Sequence, residues 1–109
     1  MKSILQMEER EFKPGDVIVH ENGWTLGTSY YYHQGKLAEF YLTDEFVVPT
    51  LENRKINPTD IRRYKRLWLQ LERPESMRQI GREAWFQNLP KHLVSSDPDT
   101  QLYLFDLQS

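Results

Sequence analysis

Along this chain the spacing of apolar positions changes near residue 57, and the change divides it into two differently patterned halves. Before that point the pattern is short and alternating. Phe12-Lys13-Pro14-Gly15-Asp16 is a turn signal, and Val17-Ile18-Val19-His20 follows as a β-rich run. Asn22-Gly23 then reads as a hairpin turn. From Trp24 to His33 the period-two pattern puts Trp24, Leu26, Tyr30 and Tyr32 on one face and Thr25, Gly27, Ser29 and Tyr31 on the other. Leu37–Leu42 and Phe46–Leu51 complete an antiparallel meander, with Pro49 marking an edge strand or a strand end.

After the change the period is helical. Asn57 is a suitable N-cap, Pro58 fits the first helical position, and Asp60 favours a helix N-terminus. Ile61, Tyr64, Leu67, Trp68 and Leu71 recur at helical spacing, with Arg62, Arg63, Lys65 and Arg66 on the opposite side. This predicts a basic amphipathic helix over 58–73, stopped before Pro74. A second helix is expected from about Glu75 to Asn88, with Met77, Ile80, Ala84 and Trp85 inward and Arg78 and Arg82 outward. Ser95–Thr100 is a polar turn, and Gln101–Leu107 is a final apolar strand or tail. The expected fold is therefore a single α+β domain over 1–109. Residues 1–56 form an N-terminal antiparallel β-meander, of which a small SH3-like barrel is one form. Residues 57–89 form two amphipathic helices, and 95–109 a polar turn with a short C-terminal strand or tail.

Composition narrows the chemistry. The absence of cysteine excludes disulfides, thiolate metal sites and a cysteine nucleophile, and suits a reducing cytoplasm. The N-terminal residues lack the apolar stretch of a secretory signal, and no run approaches membrane-spanning length, so a cytoplasmic protein without membrane partners is expected. The net charge of −2 hides an asymmetry. Residues 1–52 carry four basic and nine acidic side chains, residues 53–91 ten basic and four acidic, and the last eighteen three aspartates with no lysine or arginine.

No constellation encodes an active site. His20, His33 and His92 lack a second ligand at metal-site spacing, although His20 and His33 would face each other if they lay on neighbouring strands. There is no phosphate-binding glycine loop, nucleophile elbow or zinc-protease helix, so no catalytic residue, metal or cofactor is expected. Trp24, Tyr30, Tyr31, Tyr32, Phe40 and Tyr41 serve either as sheet core or as a stacking surface. Arg62, Arg63, Lys65, Arg66, Arg73, Arg78 and Arg82 are the candidate contacts to nucleic acid or to an acidic protein, although a pI near 5.9 is low for a DNA-binding domain.

The C-terminal segment Gln101-Leu102-Tyr103-Leu104-Phe105 resembles the pentapeptide by which bacterial replication and repair proteins dock onto the sliding clamp. The resemblance implies that Gln101 enters a polar subsite beside Leu102, and that Leu104 and Phe105 fill an apolar pocket. Tyr103 departs from the usual small or acidic third residue. The implied function is a non-enzymatic bacterial or phage adaptor on the replication clamp. The alternative is a nucleic-acid-binding or regulatory interaction domain that uses the basic helix and the sheet aromatics, with Gln101–Leu107 a core strand.

Overall fold

Strands buried on both faces read as continuous apolar runs, and two such runs build the centre of this molecule. The computed structural model describes residues 2–72, 74–96 and 100–107. In chain order its regular elements are α1 (Lys2–Glu11), β1 (Asp16–His20), α2 (Gly23–Tyr32), β2 (Glu39–Tyr41), β3 (Arg66–Glu72), α3 (Pro74–Gly81), α4 (Ala84–Asn88), β4 (Lys91–Ser96) and β5 (Thr100–Asp106). Two 3-10 turns, Pro49–Arg54 and Pro58–Arg63, lie between β2 and β3.

The strands form one mixed sheet in the order β2-β1-β3-β5-β4. β1 pairs in parallel with both β2 and β3, while β5 runs antiparallel between β3 and β4. The chain leaves β1 through α2 to one side and returns through the 3-10 turns to the other, so β1 is a topological switch point.

Alternation divides the sheet into two faces of different chemistry. Val17, Val19, Leu67, Leu69, Leu71 and Phe105 face the main apolar core, which Ile56, Ile61, Ile80 and Leu89 close from the 3-10 turns and the α3–α4 region. On the reverse face Ile18, Trp68 and Leu102 pack with Ile4 of α1. Beside them, His20, Glu39 and Gln70 occupy fully buried positions on the sheet.

This overturns the expected order of a meander followed by helices, because the strands are spread through the whole chain. Asn22 does not turn a hairpin. It caps a helix: its Oδ1 accepts from the Trp24 backbone N–H at 2.8 Å, and residues 23–32 follow as α2. The predicted basic helix over 58–73 is a 3-10 turn followed by β3. Pro58 does open a helical turn, but the Asn57 side chain makes no capping hydrogen bond and only one short 3-10 segment follows. Arg66–Glu72 alternates instead of spiralling, and β1 and β5 provide its hydrogen bonds. The second helix is present as two short pieces, α3 and α4. Of the expected turn before β5, residues 97–99 lie outside the described residues, as does Arg73.

Phe105 is fully buried against Trp85 and Phe86, with ring centroids at 6.0 and 5.7 Å. Replacing it by alanine is expected to cost about 3–5 kcal/mol in a urea titration, much of the stability of a small domain. A loss below about 1 kcal/mol would contradict an interior β5.

Candidate functional site

The polar side of the sheet is covered mainly by α2, and the helix meets it with an equally polar face. Thr25, Ser29 and His33 recur every four residues, so they share one face of α2 and its C-cap. All three are buried. His20 Nε2 lies 3.0 Å from Glu39 Oε1, and its Nδ1 lies 2.8 Å from Thr25 Oγ1. Ser29 Oγ also donates to Glu39 Oε1. With Nε2 carrying the proton toward Glu39, Nδ1 is left to accept from the threonine hydroxyl.

A second carboxylate–imidazole pair continues the layer. Glu8 of α1 reaches His33 with Oε1 3.6 Å from Nε2, and both side chains are sealed from solvent. Burial raises the Glu8 carboxyl above its ordinary value, with the neighbouring His33 only partly offsetting it. Burial alone would lower His33, but the Glu8 carboxyl group 3.6 Å away, with Glu39 and Glu9 nearby, raises it above the ordinary histidine value. Both members therefore hold protons more tightly than in the unfolded chain. Gln70 lies in the same layer, fully buried, and its side-chain amide has no hydrogen-bond partner among the described residues.

In this arrangement each buried imidazole faces a buried carboxyl group. Ser29 donates to a carboxylate and not to an imidazole, so the nucleophile–base–orienter line of acyl transfer is absent among these residues. Glu8, His20, Ser29 and Glu39 have no exposed surface through which a substrate could meet them. No group of three or more metal-ligating side chains is assembled among the described residues.

The outer face of α2 is the reverse. Trp24 is 65% exposed and Tyr31 68%, with Thr28 exposed between them. The loop at the helix N-terminus adds Phe46, 57% exposed, whose ring meets Trp24 edge-on at 5.7 Å. Phe46 adopts φ +58°, uncommon for a bulky residue. Gly23 holds that loop close: its N–H donates to the Glu45 carbonyl at 2.9 Å, and a Cβ there would run into the Phe46 carbonyl and Val47 Cα. α2 is thus polar inward and aromatic outward.

The residues singled out in the sequence scatter. Gln101, Leu102, Leu104 and Phe105 belong to β5, an interior strand, with Leu102 and Phe105 fully buried. The clamp-like pentapeptide is therefore not a free tail in this fold. Arg62 and Arg63 are exposed on the second 3-10 turn, and Lys65 is exposed just before β3. Arg78 is exposed on α3 and Arg82 just after it, so no single helix carries these cations. Arg66 is held by Asp16 at 2.7 and 2.9 Å. Burial alone would raise Asp16, but Arg66, Trp68 and the Lys13 backbone together hold it below its ordinary value. His20 and His33 do enter one layer, each on its own carboxylate, while His92 is exposed on β4. The sequence reading missed Glu8, Glu39, Thr25 and Ser29. The four-residue spacing of 25, 29 and 33 is the signal for Thr25 and Ser29, hidden when this stretch is read as a strand, while no local spacing marks Glu8 or Glu39.

No family model matches the chain, and neither a characterised protein nor a solved structure matches it.

A group with a raised value stabilises the fold below its unfolded value and loses that contribution as pH rises through the folded one. For His33 and Glu8 the unfolded references are 6.5 and 4.5. Stability should therefore fall as pH rises above the unfolded histidine value of 6.5. Asp16, lowered from 3.8, adds no slope in that window. In urea titrations the midpoint should drop across this range, and Glu8→Gln should flatten the drop. A wild-type midpoint that stays level or rises would contradict the buried pair.

Proposed function

We propose that this chain is an interaction domain that recognises a partner through the outer face of α2 and has no catalytic centre of its own. One observation carries the reading. Residues 22–35 contain no lysine, arginine, aspartate or glutamate in a chain that is 28% charged, although this segment includes an exposed helix. A solvated helix normally displays charge on its outer side. Here the outer side displays Trp24 and Tyr31. Depletion of charge with enrichment of tryptophan and tyrosine is the composition of an interface core.

Gly27 adds a second physical argument. It lies inside α2 and on its outer face, where a Cβ would meet nothing within 4 Å. Glycine at an interior helical position costs roughly 0.5–1 kcal/mol relative to alanine. No packing within the domain requires that loss. A surface that must admit another backbone closely does require it.

The exposed cations Arg62, Arg63, Lys65, Arg78 and Arg82 form the competing surface, suited to nucleic acid or to an acidic protein. Docking of Gln101–Phe105 on a clamp would need β5 to leave the sheet, and we do not adopt it. The two surfaces are separated by placing a photo-crosslinking amino acid at Tyr31 or at Arg63 in cells that make the protein. A discrete adduct from position 31 is expected. Adducts confined to position 63 would move the function to the cationic surface.

A further inference from the structure

The exposed pattern on α2 is nearly symmetric about its own middle. Trp24 and Tyr31 stand three residues outside Gly27 and Thr28 respectively, so reversing the helix exchanges one aromatic for the other and one small residue for the other. The open space at Gly27 lets the axis of a second helix come near.

We infer that the partner of this face is a second copy of the same chain, its α2 packed antiparallel across Gly27 so that each Trp24 lies beside the other copy's Tyr31. The inference rests on the reading of α2 as an interaction surface and adds the identity of the occupant. A two-fold interface joins the same patch of both copies, so a patch that carries one sign of charge would repel itself. The exposed turn with Arg62, Arg63 and Lys65 is such a patch. The uncharged stretch from 22 to 35 is not.

Size agrees with a weak dimer. The exposed parts of Trp24, Tyr31, Tyr32 and Phe46 amount to roughly 500 Å² per copy at ordinary aromatic areas, or about 1,000 Å² for the pair. That is the lower edge of a specific interface, the size of a weak, concentration-dependent association.

The test is sedimentation equilibrium of the whole chain from about 1 μM to 1 mM, a range that brackets such an affinity. The wild type is expected to pass from monomer to dimer. Gly27→Gln should weaken the dimer at least about tenfold, because its side chain fills the crossing point. Its urea midpoint should hold or rise, since glutamine is the better helix former, so loss of the dimer cannot be blamed on unfolding. Arg63→Glu should dimerise like the wild type. A wild type that stays monomeric, or a dimer that Gly27→Gln leaves intact, overturns the second-copy assignment. If the monomer nevertheless yields a position-31 adduct to a different protein, the interaction-domain reading stands and only the occupant is wrong. Monomer with no such adduct overturns both. Co-sedimentation of the monomer with phosphatidylcholine vesicles, abolished by Trp24→Ala, would replace the second copy with a lipid surface.

Discussion

The hydrogen bond between His20 and Glu39 dictates what α2 can be. It joins neighbouring parallel strands on the buried side of the sheet, with both side chains shut off from water. Burying such groups without partners would cost several kcal/mol, so whatever covers them must supply hydroxyls or another hydrogen-bonding group. α2 does so with Thr25 on the imidazole and Ser29 on the carboxylate. One turn further on, His33 meets Glu8 of α1, which ties the first helix to the same layer.

Those inward positions are then closed to large apolar side chains, Leu26 excepted. The tryptophan and tyrosines of this segment lie largely outside, and the helix is inverted relative to an ordinary surface helix. The other side of the sheet has no such constraint. There, leucines of β3 and valines of β1 form a conventional core with Phe105, and that core holds the domain together. Stability therefore comes mainly from one face of the sheet, while the polar layer and the aromatic surface belong to the other. Gly23 links the two: it lets the Phe46 loop press against the N-terminus of α2 and sets the ring beside Trp24.

This inversion explains why the sequence was legible in parts only. The β-rich run at Val17–His20 marks a strand, because its burial follows directly from local composition, whereas Gln101–Leu107 stays open between strand and tail until its pairing with β3 and β4 makes it β5. The apolar residues of α2 gave no helical signal, since they do not line one inward stripe, and Trp24 with Leu26, Tyr30 and Tyr32 happens to alternate. β3 misled in the opposite sense. Leu67, Trp68 and Leu71 fit a helical stripe when Ile61 and Tyr64 are counted with them, yet Trp68 and Leu67 point to opposite faces of the sheet. Only pairing with β1 and β5 decides that, and pairing is a long-range property. The candidate site suffered the same way. His20 and His33 were visible as residues, but the carboxylates that hold them come from positions 39 and 8, which no local spacing connects.

Because the chain has no cysteine of its own, the orientation of α2 can be measured by the reactivity of single introduced thiols at low protein concentration. Thr28→Cys and Tyr31→Cys should react with a thiol reagent at close to the rate of the unfolded chain. Thr25→Cys and Ser29→Cys should react roughly a hundredfold more slowly, through opening of the structure alone. Equal reactivity at all four positions, or faster reaction at 25 and 29, would contradict a helix that is polar inward and aromatic outward, and the function proposed for its outer face would fall with it.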